Sequence, residues 1–148
     1  MKRTYLEDVR VGESRTFGTY VLTQDEIVEF ATKWDPQPFH TDPEAAKDSV
    51  FGELVACAAH LFAVIALLVT HAPEPNALLA GLASEEMRLQ APGRPGDVLH
   101  LRRTYLEARP SASRPEAGVV RQLLELIDDD GRVLVAQRGA ILVSRRPH

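Results

Sequence analysis

Apolar residues run almost unbroken from Leu54 to Thr70, with His60 as the one clear interruption. A helix that is apolar on nearly every side must be covered on most of them. A single sheet wrapped around it would do this. The run is slightly short for a bilayer span and lacks charged flanks, so it reads as a buried helix over 54–70. Upstream, residues 15–22 have the β-branched and aromatic content of a strand. Thr23 then reads as an N-cap, and Glu26 three residues later closes a capping box. The helix that follows places Ile27, Phe30, Ala31 and Trp34 on one face. Pro36 and Pro38 end it, because proline lacks an amide hydrogen and holds its predecessor extended. The spacing predicts an extended loop over 36–41, then a short helix over 43–48 capped by Thr41 or Asp42, then a turn at Gly52.

The second half alternates differently. Strands are predicted at 79–90, 98–108, 117–128 and 132–144. The segment Pro92-Gly93-Arg94-Pro95-Gly96-Asp97 separates the first two. Asp129-Asp130-Gly131 makes a tight hairpin between the last two. Successive hairpins imply an antiparallel sheet. One long apolar helix with five or six such strands is an α+β architecture.

Composition narrows the picture. The 148 residues suit one domain, 1–148, with 45% apolar and 26% charged residues, as in soluble globular proteins. A net charge of −4 argues against nonspecific nucleic-acid binding. Cys57 stands alone, so no intrachain disulfide can form. The N-terminus lacks the apolar core of a signal peptide. A cytoplasmic protein with no membrane segment is the expectation.

The candidate chemistry lies in Trp34-Asp35-Pro36-Gln37-Pro38-Phe39-His40-Thr41-Asp42. Asp35 falls at a helix C-terminus, where the dipole disfavours negative charge, and Trp34 and Phe39 can shield it from water. A carboxylate so placed is a candidate general base. His40 follows across a loop stiffened by two prolines. A carboxylate and an imidazole held this way can position one water. The competing reading is that both residues only cap helices, and taken alone the spacing favours it. A second feature changes the balance. The start of the apolar helix, near Val55 to Ala59, offers free amides and a dipole for a developing oxyanion.

Asp35-Pro36-Gln37-Pro38-Phe39-His40-Thr41-Asp42, followed by Phe51-Gly52-Glu53-Leu54-Val55-Ala56-Cys57-Ala58-Ala59-His60, resembles the MaoC-like dehydratases, which include the (R)-specific enoyl-CoA hydratases. Met87 to Pro92, Pro95-Gly96-Asp97-Val98-Leu99 and the Arg109–Pro115 loop extend the likeness over most of the chain. The resemblance implies a hotdog fold and hydration of a trans-2-enoyl thioester to the (R)-3-hydroxyacyl product. It implies Asp35 and His40 as the acid–base pair and the Ala58 amide, where the family has glycine, as the carbonyl-binding group. Ala66 stands about where family hydratases carry a serine. The resemblance further implies coenzyme A only as part of the substrate, no other cofactor, and a homodimer or larger homo-oligomer. Cys57, His60 and Arg88 are the candidate substrate-side residues. Cys57 and His60, three apart on a helix, read as a packed thiol and an imidazole near the site's mouth. Arg88 reads as a phosphate contact, or else as one of several arginines paired with nearby glutamates, together with Arg109 and Arg114. No set of residues has metal-ligand spacing. A hotdog thioesterase and a non-catalytic acyl-binding module are the competing functions.

Overall fold

Five strands form one antiparallel sheet in the order β1-β3-β4-β5-β2 in the computed structural model, which describes residues 1–148. They are β1 (Ser14–Val21), β2 (Leu78–Leu89), β3 (Val98–Pro110), β4 (Ala117–Asp128) and β5 (Val133–Ser144). The helices are α1 (Gln24–Trp34), α2 (Pro38–Thr41), α3 (Pro43–Ala46) and α4 (Ala58–Val69). The expected α+β architecture and its strand positions are present.

Alternation along the central strands decides which face meets α4. On β3, Leu99, Leu101, Arg103 and Tyr105 are buried. On β4, Val120, Gln122, Leu124 and Leu126 are buried. The leucines of both strands pack with Leu61, Val64, Ile65 and Leu68 of α4 into the main core. Gly18 lets the helix come close to β1. It sits in a bulge with φ +77°, and a Cβ there would lie 2.8 Å from Leu68 Cδ2.

Three expectations require correction. Residues 36–41 are not wholly extended: Pro38 starts one helical turn, α2, with Gln37 as its N-cap. Proline is well suited to a first helical position, where no amide partner is needed. The apolar helix begins at Ala58, not Leu54. Val55 and Ala56 are spent on long-range bonds instead, with the Val55 amide donating to Phe39 O and the Ala56 amide to Gly93 O. Finally, the sheet covers α4 on one side only. Phe62 and Leu67 of the helix are exposed, as are Leu78, Leu79, Leu82, Met87 and Leu89 of the edge strand β2.

Candidate active site

Asp35 is placed by the end of α1. Its amide donates to Ala31 O as the helix C-cap, and its carbonyl accepts from Gln37 at 2.7 Å, folding the chain sharply back. Thr23 caps the other end, accepting from the Glu26 amide at 3.2 Å. The Glu26 carboxylate does not close the expected capping box. It reaches His60 instead, with Oε1 at 3.2 Å from Nε2.

His40 is placed by α2, whose single turn brings the imidazole under α1. The ring is buried, and its Nδ1 donates to the Val55 carbonyl at 2.6 Å. A carbonyl only accepts, so Nδ1 carries a proton and Nε2 is the nitrogen left for chemistry. Nε2 lies 3.6 Å from Asp35 Oδ2. That is too long for a direct hydrogen bond, yet a water about 2.8 Å from both atoms can bridge them. The Phe39 ring packs edge-on against the imidazole, with centroids 4.4 Å apart. The His40 side chain is 9% exposed and that of Asp35 37%, so the carboxylate is the partner that solvent reaches.

Both residues line a cavity of about 350 Å³ with Phe39, Val55, Ala58, Leu61, Leu89 and Pro92. Its wall is mostly apolar. Ala58 is the first residue of α4, so its amide has no acceptor within the helix, and no other backbone carbonyl takes it. An acceptor entering the cavity therefore meets a carboxylate, an imidazole and the positive end of a helix together. This is an arrangement for moving a proton onto or off a bound molecule while an oxygen on that molecule gains negative charge.

The remaining sequence candidates fall elsewhere. Trp34 is 63% exposed, with Lys33 over its ring, and does not shield Asp35. Cys57 is the fully buried N-cap of α4. Burial pushes its thiol above the ordinary range and the nearby Asp35 charge adds to this, while the amides of His60 and Ala59 pull the other way. The net direction is away from thiolate, so a nucleophilic role has no support. His60 faces α1, not the cavity. It stacks on Phe30 with centroids 4.6 Å apart, and Tyr20 Oη lies 3.4 Å from its Nε2. The ring thus ties α4 to α1 and β1. Arg88 is exposed on the edge strand and paired with Glu86. Arg109 and Arg114 pair with Glu107 and Glu116. Arg102 and Arg121 likewise pair with Glu125 and Glu85.

Sequence reasoning passed over Gln122 and Gln137, which are buried on the inner face of β4 and β5. A signal was available, because Gln122 is in phase with Val120, Leu124 and Leu126.

A five-stranded antiparallel sheet of this order packed against one apolar helix is the hotdog fold, and the Asp–His pair lies in a cavity at the N-terminus of that helix. Comparison with known proteins agrees. Residues 8–124 match the MaoC like domain, and the chain belongs to that family. It is 34% identical to Protein MaoC of Klebsiella aerogenes over 104 residues, covering 69% of this chain but only 30% of that protein. Among solved structures, the MaoC-like dehydratase from Rhodospirillum rubrum superposes with a TM-score of 0.88 at 37% identity, covering 97% of this chain and 99% of the other. The R-hydratase PhaJ1 from Pseudomonas aeruginosa, in its unliganded form, shares the fold with a TM-score of 0.76 at 21% identity, covering 97% and 88%. No helix is long and apolar enough to cross a membrane.

Proposed function

We propose that the protein adds water reversibly across the double bond of a trans-2-enoyl thioester, giving the (R)-3-hydroxyacyl product, with coenzyme A or a carrier as the thiol. The observation that carries this reading is the Asp35–His40 pair facing the free Ala58 amide across one apolar cavity. Asp35 takes a proton from the water as its oxygen bonds to C3. The electrons of the double bond move toward the thioester carbonyl, whose oxygen is held by the Ala58 amide. Protonated His40 gives its Nε2 proton to C2. A proton then passes from Asp35 back to His40, and the pair is ready for another cycle. The bond from Nδ1 to Val55 keeps the ring aimed throughout. The methyl of Ala58, where the family carries glycine, narrows the carbonyl-binding side without removing the amide.

A homodimer is part of the proposal. Leu78 and Leu82 of β2 line one cavity with Phe62 of α4, and Leu79, Met87 and Leu89 of β2 are exposed as well. An unpaired apolar edge strand invites pairing with another copy.

The test is hydration of enoyl-CoA esters of graded length, read as loss of the conjugated enoyl absorbance, with free thiol measured in parallel. Hydration without thiol release is expected. Thiol release without hydration would mean a thioesterase, and saturable binding with neither would mean a non-catalytic binding module. The first of those is disfavoured by α4, which has no Asp or Glu along its length.

A further inference from the structure

A second cavity, of about 570 Å³, lies farther along α4, between Phe62, Ile65 and Val69 and the strands β2, β4 and β5. Ala58 and Leu61 line the first cavity, and Phe62, Ile65 and Val69 line this one. Spacings of three and four keep all of them on one side of the helix. Strand β2 also lines both, with Leu89 at one end and Leu78 at the other. The two cavities are thus successive parts of one trough. From Ala58 to Ile65 is about 10 Å along the helix axis, at a rise of 1.5 Å per residue.

The distal cavity has apolar walls but a polar floor. Ser84, Gln122 and Gln137 come together there from three adjacent strands. Gln137 Nε2 donates to Ser84 Oγ at 3.2 Å. Gln122 is 5% exposed, and its Oε1 has no hydrogen-bond partner. Its neighbours on the same face of β4 are apolar, and a leucine would fit the pattern. Leaving a buried amide oxygen unpaired is unfavourable. The oxygen is closed off as well as unpaired, so a bound group relieves it once the Gln122 side chain turns toward the cavity. None of the residues lining the cavity is charged.

We propose that this cavity receives the far end of the acyl chain and that this end carries a hydroxyl, hydrogen-bonded to Gln122 with Ser84 and Gln137 beside it. The inference rests on the hydratase reading and narrows its substrate class. A hydroxyl both donates and accepts, so it satisfies the Gln122 amide in either orientation. The Ser84 hydroxyl accepts from Gln137 and keeps its own proton to donate. An alkyl end leaves Gln122 unpaired. A carboxylate end gives up its hydration with no cation to replace it.

The experiment compares three enoyl-CoA esters of equal medium length ending in a methyl, a hydroxyl or a carboxylate. The readout is kcat/KM for the wild type and for Gln122→Met, with Gln137→Met as a second variant. Far-ultraviolet circular dichroism and melting establish that each variant is folded. The wild type is expected to favour the hydroxyl ester about tenfold or more over the alkyl ester, which is about 1.4 kcal/mol, and to use the carboxylate ester least. In Gln122→Met the hydroxyl-to-alkyl ratio should fall to one or below. Equal use of both esters by the wild type, or an unchanged ratio in folded Gln122→Met, overturns the inference. If no ester is hydrated, the hydratase reading fails on its own. The inference is then read from calorimetric binding of the saturated hydroxyl and alkyl CoA esters, where the same preference and the same loss in Gln122→Met are required.

Discussion

Replacing Asp35 with Asn keeps the size and shape of the side chain and removes its ability to take a proton. The carboxylate's polar partner is the His40 ring, 3.6 Å away, and its side chain is 37% exposed. Little stability is therefore at stake, and the melting temperature should move by only a degree or two. Catalysis is a different matter. A positioned general base typically contributes 10²–10⁴-fold. A thousandfold loss in kcat/KM, the middle of that range, is about 4 kcal/mol of transition-state stabilisation. His40→Gln should lose a similar amount. The two residues sit on either side of one water position, so the double variant decides between cooperation and independence. If they act as a unit, Asp35→Asn with His40→Gln should be scarcely worse than either alone. If they act separately, the losses should multiply toward a millionfold. The assay is hydration of a short enoyl-CoA, with the reverse dehydration as a second readout. A folded Asp35→Asn protein within threefold of wild type refutes the base assignment. Multiplicative losses refute the shared water.

Gly18→Ala forces a side chain onto a φ of +77° and a Cβ to 2.8 Å from Leu68 Cδ2. A cost of roughly 2 kcal/mol is expected, seen as a fall of roughly 4–8 °C in Tm, and an unchanged melting curve would show that the bulge relaxes freely. His100 has its pKa raised by the side-chain bond to Asp129, with help from the Gly18 carbonyl. A raised folded pKa stabilises fully below the unfolded value of about 6.5 and less as pH rises through the folded value. Asp129→Asn should therefore lower Tm more at pH 6 than at pH 9, and an equal difference at both would exclude this linkage. Leu79→Lys puts a charge on the open edge of β2, where the side chain is about half exposed. Light scattering should show a shift toward monomer if that edge joins two copies, whereas a monomeric wild type would remove the dimer from the proposal.

The parts of the molecule that were legible in the sequence are those whose causes are local. Strand positions followed from alternation and from hairpin residues such as Asp129-Asp130-Gly131. The approach of Asp35 to His40 was readable from the two prolines between them, although the spacing alone favoured capping roles and the acid–base reading leaned on the helix start and the family resemblance. The misread parts are those decided by distant partners. Leu54 to Cys57 are as apolar as the helix they precede, yet the Val55 amide and carbonyl are both taken up by the segment carrying His40. Helix composition says nothing of that exchange, which sets where α4 begins and therefore which amide faces the site. Glu26 shows the same competition at a side chain. A capping box is a local bond, and the buried His60 ring, 34 residues away, took the carboxylate instead. Gln122 is the converse case. Its place in a row of inward residues was readable, but its significance depends on a cavity formed by three strands and a helix. Residues that serve chemistry in this fold are thus found least easily where the chain departs from its own pattern. Such departures, including an amide left without a partner among leucines, are also where the choice of substrate is most open to experiment.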